Sequence, residues 1–229
     1  MFDVIKTFRR PSPELLKAYE QVQESASIHE CLPYKSGALD SAIKPVWHGA
    51  RVIGSALTVQ CSAGDNLMLH RALELLQPGD VLVVACGQYT EAGAMMGGIM
   101  SQYVQGAKGC RGLVIDGACR DITTIERAGF PAFARNVSMK AVAKRLPGSI
   151  NHPIVVGNVL VHPGDIVFGD ADGVVVVPLD LAEETLRLAL AREEHEDTML
   201  KKYLAGETTI WDAYGFQKAY DQLGLTEED

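Results

Sequence analysis

The segment from Gly97 to Asp121 constrains the fold of this chain more than any other part of the sequence. It reads GGIMSQYVQGAKGCRGLVIDGACRD, which predicts a glycine turn, a helix, a buried strand at 113–115 and a glycine-relieved loop. Arg120 and Asp121 then stand where the strand ends and the next helix begins. A strand end that meets a helix start collects free backbone N–H groups, which favour small anionic ligands and metals. The sequence therefore predicts a candidate active site at Arg120 and Asp121.

Turn signals along the rest of the chain predict interleaved strands and helices. The tripeptide Pro-Gly-Asp occurs at 78–80 and at 163–165, each time before a run typical of a buried strand. A type II turn fits both copies, because proline presets φ at its first corner and glycine takes the positive φ at its second. Helices are expected at about 12–31 and about 180–223, packed on the core. We therefore expect an α/β (α+β) fold in one domain over residues 1–229.

Three local predictions follow from shorter patterns. Ser12, followed by Pro-Glu, is the expected N-cap of the first helix. Asp65 or Asn66 is expected to cap a helix with leucines at helical spacing. The segment 51–61 is predicted to be a strand or a strand pair around its glycine, and 208–223 a helix after the long one that ends near 204.

Composition bounds the classes of function. The net charge of −8 disfavours nucleic acid as the principal ligand, since phosphate backbones need clustered Lys and Arg. The five cysteines include no C-x-x-C pair, which disfavours zinc ligation. The sequence shows neither an apolar run of about 20 residues nor an apolar segment behind the basic N-terminus. A cytoplasmic protein without membrane contact is the expectation.

Structural roles compete with the functional interpretation of single residues. Asp121 has the residue type of an N-cap for a helix over 122–128, and Arg120 could serve in a salt bridge. Cys119 is interpreted as a bystander because the sequence offers it no partnered histidine. Asp170 and Asp172 precede a glycine, which favours a β-turn over a metal loop.

Five motifs taken together in order resemble the RraA-like family. They are GDNLMLHRALELLQPGDVLVV, GGIM, GLVIDGACRD, AGFPAFAR and GDADGVVVVP, and they cover roughly residues 27–178. The family includes the 4-hydroxy-4-methyl-2-oxoglutarate and 4-carboxy-4-hydroxy-2-oxoadipate aldolases. The resemblance implies an αββα sandwich of the swivelling β/β/α type, assembled as a homotrimer or a homohexamer with sites between subunits. It also implies metal-dependent cleavage of a 4-hydroxy-2-oxo acid to pyruvate and a second 2-oxo acid, and decarboxylation of oxaloacetate.

The resemblance assigns roles to particular residues. Asp121 stands at the position that holds Mg²⁺ or Mn²⁺, and Arg120 at the position that contacts the pyruvyl carboxylate and the enolate. Glu30 stands where the family has a glutamate that reaches a neighbouring subunit's site. The backbone N–H groups implied to bind the same carboxylate are those of Gly98, Ile99 and Met100.

Two positions depart from the family pattern. Ile99 replaces the acidic residue that relays the proton of the C4 hydroxyl group, and Thr124 replaces an acidic residue often found after Arg-Asp. His70, Glu91 and Asp116 are alternative bases, and the sequence does not select among them. Two other functions therefore stay open: a non-catalytic regulatory binding protein, as in the RNase E inhibitors of the family, and another metal-assisted reaction of a 2-oxo acid or sugar acid.

Overall fold

The computed structural model describes residues 3–87 and 92–225, and the chain divides into two compact units, residues 1–189 and 190–229. The strands in the described residues are β1 (Lys44–Pro45), β2 (Val52–Gln60), β3 (Asp80–Ala85), β4 (Ala94–Met96), β5 (Gly112–Cys119), β6 (Ala132–Val137), β7 (Ser149–Ile150), β8 (Ile154–Val156), β9 (Val159–Val161), β10 (Ile166–Gly169) and β11 (Val174–Val177). The α-helices there are α1 (Pro13–Tyr19), α2 (Ser25–Cys31), α3 (Leu67–Leu73), α4 (Gly98–Lys108), α5 (Ile122–Arg127), α6 (Ala182–Leu204), α7 (Ile210–Tyr214) and α8 (Phe216–Gln222).

One mixed sheet of nine strands organises the first unit. Its order is β1-β6-β5-β3-β2-β10-β11, with β4 paired to β5 and β7 paired to β2, while β8 and β9 form a separate hairpin. Strands β2, β3, β5 and β6 are parallel to one another, and β10 joins β2 in the antiparallel sense. The carboxyl ends of the parallel strands therefore meet at one edge, where ligand sites of α/β sheets usually lie. The predicted α/β class is confirmed.

Both faces of the sheet are covered, so its central strands are buried on both sides. On one face Leu113 and Ile115 of β5 pack in a cluster with residues of α3, α4 and α5, including Leu69, Val104 and Ile125. On the other face Val114, Val81 and Val83 pack with the β8–β9 hairpin. This double coverage explains why β3 and β5 have almost continuous apolar sequences instead of alternating ones.

The two Pro-Gly-Asp turns have the predicted geometry. Gly79 and Gly164 have φ of 95° and 92°, the positive values that glycine adopts without strain. In each turn the aspartate side chain accepts a hydrogen bond from the backbone N–H three residues earlier, at 2.9 Å for Asp80 and 2.8 Å for Asp165. The aspartate thus fixes the turn that its proline and glycine allow.

Most local predictions are confirmed, with refinements. The Ser12 side chain caps α1 by accepting a hydrogen bond from the Leu15 N–H at 3.1 Å. The segment 51–61 forms the single strand β2. Asn66 occupies the N-cap position of α3 without a capping bond from its side chain, whereas Asp65 Oδ1 accepts from the Leu67 N–H at 3.0 Å.

The second unit corrects one prediction. The segment 208–223 contains two short helices, α7 and α8, because Gly215 adopts a left-handed φ of 65° between them. Within this unit Trp211 packs edge-on against Phe216 and Tyr220. Among the described residues, none of the helices is long and apolar enough to cross a membrane. A single domain over 1–229 stays a prediction.

Candidate active site

The candidate site forms where β5 ends. The chain leaves β5 at Cys119, passes through Arg120 and Asp121, and enters α5. The Arg120 N–H donates to the Met96 carbonyl at 3.0 Å, which ties this turn to the end of β4. Asp121 adopts a left-handed backbone with φ 60° and ψ 41°, a conformation that aspartate tolerates better than most residues.

Asp121 caps a neighbouring helix instead of its own. It occupies the N-cap position of α5, and its carbonyl accepts from the N–H groups of Thr124 and Ile125, but its carboxylate makes no bond to α5. Asp121 Oδ2 accepts instead from the Gly98 N–H at 3.0 Å, at the start of α4. The alternative role of Asp121 as the N-cap of α5 therefore holds for its position but not for its side chain, whose carboxylate contacts α4.

Gly97 and Gly98 are required by close approach. A Cβ atom at Gly97 would lie 2.7 Å from Asp121 Oδ2, and one at Gly98 would lie 2.6 Å from Thr124 Cγ2. Gly97 has φ of −141°, so a positive φ is not the reason for the glycine there. The two glycines allow the first turn of α4 to approach the Arg120–Asp121 turn.

The start of α4 offers backbone donors beside a cation. The first N–H groups of a helix have no partner within it, and the positive end of the helix dipole favours an anion at this place. The Gly98 N–H is occupied by Asp121, whereas the Ile99 and Met100 N–H groups have no acceptor in the described part of the chain. Arg120 Nε lies 3.8 Å from Asp121 Oδ2, and both side chains are close to half exposed, at 44% and 49%. The Ile99 side chain is 86% exposed and carries no group that could move a proton.

A cavity of about 200 Å³ opens beside Arg120. Two of its lining residues, Asn66 and His70, each have a buried side-chain atom without a partner among the described residues, Oδ1 and Nε2 respectively. Burial and the positive charge of Lys144 lower the pKa of His70 below its usual range. The lining residues are Asn66, His70, Ala94, Met95, Met96, Gly97, Met100, Arg120, Ala141, Val142 and Lys144. The cavity joins the predicted site to a polar region that the sequence analysis did not connect with it.

The comparison with known proteins identifies the family. A family model described as RraA-like, Aldolase/RraA, matches residues 25–176, which is more than half of the chain. This chain belongs to the RraA-like family. Its mixed α/β structure with the large mixed sheet is the RraA-like swivelling β/β/α fold that the motifs implied, and that expectation is confirmed.

Relatives and solved structures similar to this chain carry different kinds of name. The chain is 40% identical over 163 residues to a Halalkalibacterium halodurans protein named "Putative 4-hydroxy-4-methyl-2-oxoglutarate aldolase", a match that covers 69% of this chain and 75% of the relative. A solved structure of an uncharacterized protein from Pseudomonas syringae pv. tomato aligns with a TM-score of 0.78 at 28% identity, over 88% of this chain and 93% of that one. Streptomyces coelicolor RraAS2, described as an unusual member of the RNase ES inhibitor RraA protein family, aligns with a TM-score of 0.72 at 28% identity, over 84% and 98%.

The donor set suits a hard, hydrated cation at Asp121. Its Oδ1 makes no hydrogen bond to the described residues, so one carboxylate oxygen is open for a ligand. Within 3–87 and 92–225 no group of three or more His, Cys, Asp or Glu side chains is placed to hold a metal. One carboxylate with water in the other positions fits Mg²⁺ or Mn²⁺, which retain water ligands, better than zinc, which takes several nitrogen or sulfur ligands.

The other residues named from the sequence lie apart from this turn. Asp116 lies in a different cavity and has both oxygens engaged, by Arg135 and by the Gly157 N–H at 2.8 Å. Glu30 lies on α2 with its carboxylate 3.9 Å from Lys35 Nζ and does not line the cavity beside Arg120. Glu91 falls outside the described residues.

Burial and hydrogen bonds support the structural interpretations of Cys119 and Asp170. Burial raises the pKa of the Cys119 thiol to about 12, which agrees with its interpretation as a bystander. The Asp170 carboxylate accepts from the Ser25 N–H, the Ser25 hydroxyl and the Asp172 N–H, as a turn residue does. Sequence reasoning missed Lys144, which lies outside any helix and belongs to no periodic pattern.

Proposed function

We propose that this protein is a divalent-metal-dependent lyase that cleaves a 4-hydroxy-2-oxo acid to pyruvate and a second 2-oxo acid, and that it also decarboxylates oxaloacetate. One observation carries the proposal. The Arg120 guanidinium group and the N-terminus of α4 both lie within 4 Å of the same Asp121 oxygen, at 3.8 Å and 3.0 Å. A cation, a helix start and a carboxylate therefore lie together beside a cavity that is large enough for a small organic acid. Relatives named as aldolases support the same reaction class.

Both reactions produce the enolate of a 2-oxo acid, so the site must stabilise negative charge on an oxygen. Arg120 is placed to hold the substrate carboxylate and the adjacent enolate oxygen, because a guanidinium group presents several donors in one plane. The N–H groups of Ile99 and Met100, which have no acceptor among the described residues, would orient the same carboxylate at the positive end of α4. These contacts fix the 2-oxo acid half of the substrate.

Asp121 would hold the ion, Mg²⁺ or Mn²⁺, through its open oxygen, with water completing the shell. When bound, the ion supplies further positive charge to the 2-oxo group. The bond between Asp121 and the Gly98 N–H holds the carboxylate against the start of α4, so this one contact would also orient the carboxylate for the ion. Assembly as a trimer or hexamer, with Glu30 reaching the site of a neighbouring subunit, belongs to the same proposal.

The test measures pyruvate release, coupled to lactate dehydrogenase and NADH, from 4-hydroxy-4-methyl-2-oxoglutarate and from oxaloacetate. Each substrate is assayed with Mg²⁺, Mn²⁺ or EDTA. Turnover that EDTA abolishes, and that Arg120→Ala removes, is expected. Arg127→Ala is the matched control, because Arg127 is an exposed arginine on the adjoining helix α5. Failure of the wild-type protein on both substrates would contradict the proposal.

A regulatory binding role is the second candidate, and the observation that favours it is Ile99. A side chain that is 86% exposed and apolar suits a contact surface better than a proton relay. The RNase ES inhibitor named among the related structures supports the same role. This candidate predicts no turnover and a stable complex with an endoribonuclease of the RNase E class, measured by size-exclusion chromatography and weakened by Ile99→Asp.

A further inference from the structure

Aldol cleavage requires a proton acceptor for the C4 hydroxyl group of the substrate. This requirement follows from the proposed function, and the inference rests on that function. Ile99 cannot accept a proton, and Asp116 faces another cavity with both of its oxygens engaged. Among the described residues, the groups that line the cavity beside Arg120 are therefore the candidates for the acceptor.

The polar part of that cavity is formed by the first turn of α3. The His70 N–H donates to the Asn66 carbonyl at 3.0 Å, so the two side chains are one helical turn apart and both line the cavity. Asn66 is 4% exposed, and its Nδ2 donates to the Met95 carbonyl at 2.7 Å, which fixes the orientation of the amide group. Asn66 Oδ1 and His70 Nε2 then remain buried without partners among the described residues.

Unpartnered buried polar atoms are rare in folded proteins, and each one calls for an explanation such as a bound water, an ion or a catalytic role. Asn66 and His70 line the same cavity as Arg120, so a ligand there would meet polar residues as well as a cation. A complementary ligand has a hydroxyl group as well as a carboxylate. A 4-hydroxy-2-oxo acid has both groups. The arrangement therefore suits the hydroxyl-bearing half of such a substrate.

The electrostatic surroundings keep the imidazole neutral. Burial is the larger cause of the lowered pKa of His70, and the charge of Lys144 is the second. The charged side chains that line the cavity with it are Arg120 and Lys144, both cationic, and no described carboxylate lines it. A neutral imidazole has one ring nitrogen that can accept a proton.

We propose that the His70 imidazole, which lines the cavity beside Arg120, is the general base that replaces the acidic residue missing at position 99, with Asn66 as a positioning residue for the substrate hydroxyl. His70 takes the proton of the C4 hydroxyl, and the C4–O electrons form the carbonyl of the departing 2-oxo acid. The C3–C4 bond breaks, and its electron pair becomes the enolate of pyruvate beside Arg120. The imidazolium then returns its proton to C3, so that no net proton is consumed.

The experiment compares two reactions of the full-length protein, because decarboxylation of oxaloacetate has no hydroxyl group to deprotonate. In His70→Gln the ratio of 4-hydroxy-4-methyl-2-oxoglutarate cleavage to oxaloacetate decarboxylation is expected to fall by about 100-fold or more, the usual contribution of general base catalysis. His195→Gln, at an exposed position of α6, is the matched control and should keep the wild-type ratio. A second variant, His70→Asn, repeats the test with a smaller side chain. Thermal melting of both His70 variants shows whether either one is misfolded.

A pH profile gives a readout that a purely structural role would not move. The wild-type kcat/KM for cleavage should fall on the acid side with an apparent pKa below that of ordinary imidazole, and this limb should be absent from the residual activity of His70→Gln. An unchanged ratio in His70→Gln, or a wild-type protein that decarboxylates oxaloacetate but does not cleave the hydroxy acid, would overturn the role of His70 while leaving the metal-dependent lyase intact. A wild-type protein inactive on both substrates would overturn the proposed function itself, and this inference with it.

Discussion

The Asp121 carboxylate accepts a hydrogen bond from the Gly98 N–H at 3.0 Å and so joins the end of β5 to the start of α4. This bond satisfies one of the N–H groups that a helix start leaves open, and it places a negative charge at the positive end of α4. The second oxygen of Asp121, Oδ1, makes no hydrogen bond to the described residues. Under the proposed function, stability and metal binding would therefore depend on the same side chain but on different atoms of it.

Substitutions of Asp121 should separate these two roles. Asp121→Ala removes the cap and the open oxygen, and we expect a loss of about 1 kcal/mol of unfolding free energy, typical of a deleted cap, together with loss of metal-dependent turnover. Asp121→Asn keeps a carbonyl oxygen for the Gly98 N–H and should retain most of the stability while losing turnover. Urea unfolding and Mn²⁺ titration by electron paramagnetic resonance measure the two effects. Full metal binding by Asp121→Asn would contradict the assignment.

Gly98→Ala should damage the site by steric conflict. The added methyl group would lie 2.6 Å from Thr124 Cγ2 and 2.8 Å from Thr124 Cβ, so α4 and α5 must move apart. We expect a cost of about 1–3 kcal/mol in unfolding free energy and a fall in pyruvate release of tenfold or more. Gly106→Ala is the control within the same helix, because its Cβ would meet nothing within 4 Å. That variant should gain roughly 0.5–1 kcal/mol, and equal effects at the two glycines would refute the steric argument.

Two adjacent arginines should differ sharply in their contribution to stability. Arg10 makes a bidentate pair with Asp80, whose side chain is fully buried, at 2.8 and 2.9 Å. Arg10→Met leaves that carboxylate without its cation and should cost about 3 kcal/mol or more. Arg9 pairs with Asp180 on the surface, where both side chains are largely exposed, so Arg9→Met should cost less than about 1 kcal/mol. Denaturant unfolding of the two variants decides whether burial sets the difference.

The lowered pKa of His70 also predicts a pH dependence of stability. As the pH falls through the ordinary imidazole range, the unfolded chain binds a proton at this residue before the folded chain does, so the unfolded state gains stability. The contribution of His70 is present above the unfolded pKa and is lost as the pH falls through the folded one. Between pH 7.5 and pH 5.5 the wild-type protein should therefore lose more unfolding free energy than His70→Gln. Parallel slopes for the two proteins would show that the imidazole is not held neutral.

The sequence by itself determined the local structure and the place of the candidate site. Contacts within a few residues determine the Pro-Gly-Asp turns and the Ser12 cap. Fixed φ values and hydrogen bonds three residues apart need no distant partner. The same local signals predicted that Arg120 and Asp121 stand at the end of a strand. The break at Gly215 was not predicted, because a glycine within a helical pattern can either continue the helix or end it. The helix ends when the glycine takes a left-handed conformation, as Gly215 does.

Only the tertiary structure decided which groups meet at the site. The order β6-β5-β3 and the pairing of β4 with β5 bring the start of α4 to Asp121, so that the carboxylate caps a helix 23 residues earlier in the chain. The same packing places His70 in the cavity of Arg120 and Asp116 in another one, a choice that the sequence left open. The physical reason is that a side chain's neighbours across a sheet are set by strand order and register, which depend on long-range packing and not on the spacing of residues along the chain.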